Sequence, residues 1–529
     1  MATAVLQSEH AEQALWKPAV NPWLIAIAVI LPTFMEVLDT SIANVALNHI
    51  AGSMSASYSQ ATWVLTSYLI SNAVILPLTA WLGNRFQRKR FLLFCIFLFT
   101  LSSLLCGLSV NLPMLLFMRV LQGLGGGALA PISQAILMES FPPKRQGIAQ
   151  AVFGLGVVVA PVVGPVLGGW LTDSYSWRWI FYINIPIGLL AMWAIQQTVE
   201  DPPWVRKSNP GPMDSIGLIA LSLWLGCQEV ALDKGQEDDW LSSNFICTMI
   251  VLAIVGFIVF LVRELKAEKP MVDLQIFRER NLAVGTALIF LTCVLMYGVS
   301  LLTPQFLQQL MGYTAYWAGI ATVPLGLGAA VSMILVGVLV SRVDARWLTM
   351  LGFAIFGSAA YLLSHINLSI ALASLYVPQF LAGGAMGVLF IPVNVVATAP
   401  LRRDQLGAAT GTMNLMRNVG GSVGIAMVST FLARRAQFHQ TVLSGDITSS
   451  SASVLQSVTG PMQHMLGNTV GHANSLGAAL GYLYQLMLQQ AALLSFRDNY
   501  VGLSILSFVS IFLVFALRKV KASKDIPLH

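Results

Sequence analysis

The chain has 529 residues, of which 56% are hydrophobic and 10% charged, and it carries a net charge of +6. A soluble domain carries about 25% charged residues, and a soluble surface this apolar would aggregate, so a soluble enzyme or nucleic-acid-binding protein is excluded and a lipid bilayer is the expected solvent. The basic residues sit in short gaps between apolar stretches, where they set membrane orientation and do not form a nucleic-acid patch.

Residues 1–22 are polar and lack both an apolar run and a small-residue cleavage site, so they read as a cytoplasmic tail and not a cleaved signal peptide. A spanning helix needs roughly 20 apolar residues. Fourteen stretches qualify: 23–46, 61–82, 91–110, 113–138, 148–171, 179–198, 213–232, 245–263, 282–307, 316–340, 347–365, 370–398, 406–432 and 499–518. Cys95, Cys106, Cys227, Cys247 and Cys293 all fall in or beside these stretches without CxxC spacing, so neither a disulfide framework nor a metal site is expected.

Charges inside spans are costly and mark function. The first span holds Glu36 and Asp39, three apart and therefore on one helix face, as expected of carboxyls that carry a proton. The fourth span holds Arg119, a permanent cation that needs a partner at that depth. An acid of the first span is the natural choice, and protonation of that acid would break the pair and release the helix. The run GLGGG at 123–127 lacks the Lys-Ser/Thr ending and the preceding strand of a phosphate loop. In the fifth span, Gly156, Pro161, Gly164, Pro165, Gly168 and Gly169 predict close helix packing with a kink or hinge. Arg417 lies mid-span between Asn414 and Asn418 and is expected to hydrogen-bond within the bundle, with a substrate role as the alternative. Histidines are absent from the span centres, and no HExxH, GxSxG or paired-Cys motif occurs, so no catalytic constellation is present.

Two gaps are long. Residues 263–281 form a charged cytoplasmic linker. The outer segment 433–498 is polar up to about His472, then carries a stripe of Leu476, Leu480, Leu483 and Met487 at helical spacing; it reads as a lid or as a docking platform for a partner. With the N-terminus inside, Arg178, Lys234, Arg434, Arg435 and Arg497 lie outside, Arg119 and Arg417 lie within spans, and the remaining 22 of the 29 basic residues lie in the cytoplasm. That asymmetry predicts both termini inside and an even number of spans.

Together these segments resemble the major facilitator superfamily, in its fourteen-span drug:proton antiporter branch of the EmrB/QacA type, and in character the EmrB-like multidrug export permeases. LDTSIANVAL (38–47) resembles the branch's first-helix motif, which implies Asp39 as coupling acid, and RVLQGLGGG (119–127) resembles the fourth-helix motif, with Arg119 as its functional arginine. GVVVAPVVGPVLGG (156–169) is similar to the exporter-specific fifth-helix motif, and WRWIFYINIPIG (177–188) to a signature of the branch. One motif departs: the loop expected to read roughly G-x-L-a-D-r-x-G-r-k is AWLGNRFQRK, with Ala80, Asn84 and Gln87 replacing Gly, Asp and Gly. Arg85, Arg88 and Lys89 remain as the cytoplasmic gating loop, without the acid of the usual latch.

The resemblance implies an all-α membrane fold of two six-helix halves plus two extra helices. The expected division is a tail (1–22), a first half (23–200), extra helices with linkers (201–280), a second half (281–518) and a cytoplasmic tail (519–529). It implies a secondary active transporter, not an enzyme, in the cell inner membrane, driven by the proton gradient without cofactor or metal. Hydrophobic or amphipathic small molecules are the expected cargo, with a siderophore, lipid or secondary metabolite as the alternative. A periplasmic adaptor of the EmrA kind and an outer-membrane channel are the expected partners. Candidate cavity residues are Phe34, Trp63, Tyr68, Met296, Tyr297, Gln305, Gln379, Asn414 and Arg417.

Overall fold

A computed structural model describes residues 18–142, 145–202, 214–266, 274–340, 342–401, 406–446, 460 and 475–519. The terminal tails up to residue 17 and from 520, the core of the charged linker (267–273) and most of the polar outer segment (447–459 and 461–474) lie outside the described residues. Among the described residues all regular structure is helical.

The first half comprises α1 (Pro22–Ser53), α2 (Tyr58–Ile75), α3 (Thr79–Phe86), α4 (Arg88–Gly107), α5 (Leu112–Gly126), α6 (Leu129–Ser140), α7 (Gln146–Ser174), α8 (Trp179–Tyr182) and α9 (Asn184–Thr198). Local chemistry fixes the starts of several of these helices. Asn21 accepts from the Trp23 backbone N–H at 3.0 Å with Pro22 at the first helical position. Ser57 and Gln60 form a reciprocal capping box, and Asn111 caps α5 ahead of Pro113. Next come α10 (Ser215–Lys234) and α11 (Asn244–Lys266), packed on each other. The second half is α12 (Arg280–Gln305), α13 (Ala315–Leu339), α14 (Ala345–Leu363), α15 (Leu372–Thr398), α16 (Leu406–Asp446) and α17 (Ser475–Val514).

Among the described residues, thirteen helices are long and apolar enough to cross a membrane, with α5–α6 counted together as Leu112–Ser140 and α8–α9 as Trp179–Thr198. The stretch predicted as one span at 61–82 is instead divided. Pro77 lies in a tight turn, Leu76–Leu78, between α2 and α3, because proline removes a helical donor and clashes with the preceding turn. The path of this segment remains helical from Tyr58 to Phe86 and is consistent with a fourteenth pass.

The outer segment is more regular than its polarity suggests. The 41 residues of α16 and 40 of α17 extend about 60 Å each at 1.5 Å per residue, about twice the hydrocarbon thickness. The two helices contact each other, and beyond the apolar stretch Asp498 accepts from Arg435 at 2.5 Å and pairs with His439 at 2.8 Å. Polar bonds of this kind sustain helix where lipid no longer demands it.

Each half has its own apolar core. Between the halves, α7 packs along α13, running unbroken through Pro161 and Pro165. A fourth cluster unites Ala73 of α2, Ala220, Leu221 and Leu225 of α10, Phe260 of α11 and Leu415 of α16. Helix α10 is therefore wedged between the halves.

Candidate functional site

Among the described residues the most buried charge is Arg119, with 0% exposure. Its Nη1 donates to Asp39 Oδ2 at 2.6 Å and to Gln122 Oε1 at 2.8 Å, while Nε donates to the Val64 carbonyl at 3.0 Å. The guanidinium lies 4.3 Å from the Tyr68 ring centroid and 5.6 Å from that of Phe181. Asp39 Oδ1 accepts from Gln122 Nε2 at 2.9 Å and from Asn184 Nδ2 at 2.7 Å, and the same Asn184 nitrogen donates to Ser103 Oγ at 3.0 Å. The site thus draws on α1, α2, α4, α5, α8 and α9.

Such density of polar groups requires close helix approach. In the 123–127 run, a Cβ on Gly125 would lie 2.8 Å from the Phe99 backbone nitrogen and 2.9 Å from the Cys95 carbonyl. Glycine there lets α5 touch α4, so the run is a packing surface. The fifth-span glycines act likewise against α1: a Cβ on Gly168 would lie 3.1 Å from an Ile42 methyl, and one on Gly156 or Gly164 would press on Ile30 or Ser41. Ser41 also donates to the Pro161 carbonyl at 3.3 Å. Gly169 is buried.

Glu36 lies one turn from Asp39 but has different partners. Its Oε1 accepts from Asn72 Nδ2 at 3.0 Å, and its Oε2 is buried without a partner. Asn72 Oδ1 in turn accepts from Asn418 of the second half at 3.5 Å. Asp39 is enclosed within the first half, whereas Glu36, half-buried, faces the gap between halves.

The cavity candidates divide in the same way. Tyr68 is 1% exposed and covers Arg119, and Gln379 is 0% exposed, donating to Thr303 at 2.6 Å, which in turn bonds Tyr500 at 2.9 Å. Both are interior groups. Phe34 and Met296 pack against the core clusters of their own halves, and Trp63 lies 5.6 Å from Lys234 Nζ. Asn414 is buried and joins the halves by donating to Gln134 at 3.1 Å. Gln305 Oε1 is buried without a partner. Tyr297, 38% exposed, and Arg417, 5.3 Å from the Phe390 ring centroid, face the gap. At the cytoplasmic loop, Arg88 pairs with Glu139, the Lys89 backbone donates to Asp201 at 3.0 Å, and Arg85 is exposed. These acids come from the last turn of α6 and from the segment after α9, since position 84 has none.

Three functional candidates were missed in the sequence. Gln122 and Asn184 complete the Asp39 site but look like ordinary polar residues. Glu229 carried the same signal as Glu36, a charge inside a predicted span (213–232). It lies on α10 and accepts from Ser422 of α16 at 2.9 Å, while neighbouring Asp233 accepts from Thr66 of α2. Lys234 bonds Thr62 and pairs with Glu237 at 2.8 Å.

The family model described as the Major Facilitator Superfamily matches residues 29–425. The chain is 37% identical over 428 residues to the multidrug export protein EmrB of Haemophilus influenzae, covering 80% of this chain and 83% of that relative. It is 34% identical over 476 residues to EmrB of Escherichia coli, covering 90% and 91%. It is also 34% identical over 502 residues to the fatty acid resistance protein FarB of Neisseria gonorrhoeae, covering 95% and 97%. Among solved structures, the human organic anion transporter MFSD10 superposes with a TM-score of 0.58 at 13% identity, covering 93% of this chain and 99% of that one. A bacterial homologue of the lysosomal transporter Spinster gives 0.53 at 18% identity, covering 95% and 98%. At such identities the two structures speak to fold alone.

Proposed function

This chain belongs to the major facilitator superfamily, and we propose that it is a proton-coupled multidrug exporter of the inner membrane, with Asp39 and Arg119 as its coupling pair. The observation that carries the reading is the enclosed ion pair, 2.6 Å long between side chains that are 0% and 1% exposed. Its similarity over most of its length to EmrB proteins named for multidrug export supports the cargo class.

The geometry supports a coupling device in this reading. With Asp39 ionised, the carboxylate ties α1 to Arg119 and Gln122 of α5 and to Asn184 of α9. A proton on Asp39 removes the charge that Arg119 faces, and the guanidinium keeps the Val64 carbonyl, Gln122 Oε1 and two aromatic faces. Helix α1 is then free to shift. It packs along α7, and α7 packs along α13 of the second half, so the shift reaches the plane where the halves rock. Removing one partner of a buried pair costs about 3–5 kcal/mol, and each inward charge supplies about 2.3 kcal/mol per 100 mV.

In this reading, residues 23–200 and 281–518 are the moving halves, and 201–280 supplies α10 as a bridge between them. The α16–α17 hairpin is the docking site for a periplasmic adaptor that leads to an outer-membrane channel. Its projection and the exposed Phe438, Val442, Tyr482 and Tyr484 support this. The match to a protein named for fatty acid resistance favours, as a second reading, a specific lipidic product as cargo.

The test is uptake of a fluorescent dye into energised inverted vesicles, whose outer face is the cytoplasmic one. Uptake stops when the pH gradient is collapsed; uptake that continues without it defeats the proton-driven reading.

A further inference from the structure

The coupling pair leaves two charges in the central gap unused. On the second half, Arg417 has its Nε buried without a hydrogen-bond partner, and among the described residues it forms no ion pair. A guanidinium cannot shed its proton, and an uncompensated charge at that depth is costly. Among the described residues no carboxylate is paired with it, although Glu36 faces the same gap with its Oε2 unpartnered. Asp39 is bound by Arg119, Gln122 and Asn184. Glu36 bonds Asn72. The buried polar residues of α12–α17 are all Asn, Gln, Ser and Thr, with no carboxylate among them. Glu229 bonds Ser422, more than a turn further along α16.

Around Arg417 the wall is aromatic. The Phe390 ring centroid lies 5.3 Å from the guanidinium. Tyr297 is 38% exposed. A Cβ on Gly421 would lie 3.1 Å from the Tyr297 ring, so glycine lets the ring lie flat on α16 beside Arg417. A fixed cation beside the Phe390 ring, with the Tyr297 ring packed one turn along the same helix, suits a molecule with one acidic group and an apolar body.

We propose that Arg417 is the head-group site of the transported molecule, and that the cargo it selects is a carboxylate-bearing amphiphile whose apolar part lies against Phe390 and Tyr297. The assignment rests on the export reading, because it takes the gap as the transport path. The competing role is a switch in which Arg417 pairs with Glu36 as the gap closes.

The test is equilibrium binding to the full chain in lipid nanodiscs, with dodecanoate and dodecyltrimethylammonium as probes sharing one tail. The wild-type protein binds dodecanoate about tenfold or more tightly than the cation, as expected for a charge-assisted hydrogen bond. Arg417→Gln abolishes that preference by weakening dodecanoate binding alone, and Arg417→Lys, lacking the planar fork, restores part of it. Equal wild-type affinities for the two probes overturn the assignment. So does an Arg417→Gln variant that weakens both alike, which marks Arg417 as a bundle cation or as the partner of Glu36. Binding needs no gradient, so gradient-driven dye uptake into inverted vesicles by the wild-type protein decides the export reading separately.

Discussion

Replacing Asp39 by Asn leaves a guanidinium of 0% exposure without its anion. Arg119 cannot neutralise itself. It keeps the Val64 carbonyl and Gln122 Oε1, while its Nη2 is already buried without a partner. Stranding a buried charge costs about 3–5 kcal/mol, and Asn recovers a part through its own amide oxygen. Arg119→Leu is the informative counterpart. It strands Asp39, but the carboxyl still accepts from Gln122 at 2.9 Å and Asn184 at 2.7 Å, and a carboxyl can escape its charge by binding a proton. The expected order of thermal stability, measured on purified protein by loss of monodisperse species on heating, is wild type, then Arg119→Leu, then Asp39→Asn. Both variants remain inserted, because the apolar spans and not this pair hold the chain in lipid. An Asp39→Asn protein as stable as wild type, or more stable than Arg119→Leu, would refute the reasoning.

Gln87 sits at φ 70 and ψ 137, a region costly for any side chain, so Gln87→Gly should raise thermal stability by about 1 kcal/mol, the lower end of such strain. A Cβ on Gly383 would lie 2.9 Å from Leu325 Cα and press on that residue's carbonyl; Gly383→Ala should force α13 and α15 apart at about 1–3 kcal/mol, visible as reduced monodisperse yield. Asp344 caps α14, and the hydrogen bond from Arg346 holds its carboxyl below the usual carboxylate range. A lowered carboxyl stabilises the fold above its ordinary range and loses that contribution as pH falls through the lowered value. Asp344→Asn should therefore flatten the acid limb of the stability profile below about pH 4.

Much of the site was legible because lipid makes charge conspicuous. Glu36, Asp39, Arg119 and Arg417 stand out against apolar neighbours, and their cost in a bilayer is itself the signal. That signal also marked Glu229, which passed unread because the extra helices had no expected role. Gln122 and Asn184 could not be singled out, since uncharged polar residues occur in spans for packing as well as for chemistry. That Asp39 and Glu36 would diverge, one sealed against Arg119 and one turned to the gap, depends on helix rotation, which spacing alone does not set. Apolar length located the spans but missed the continuation of α16 to Asp446, whereas the helical spacing of Leu476, Leu480, Leu483 and Met487 had marked the helix that begins at Ser475. Hydropathy reports contact with lipid, whereas those turns are stabilised by bonds such as Arg435 to Asp498.

The coupling role of Asp39 is tested most directly by comparing two modes of transport in proteoliposomes containing Asp39→Asn. Substrate counterflow needs no proton movement, whereas accumulation against a substrate gradient does. The coupling pair predicts that the variant exchanges substrate across the membrane yet fails to accumulate it when a pH gradient is imposed. Accumulation at the wild-type level in that variant would contradict the assignment of Asp39 as the proton carrier.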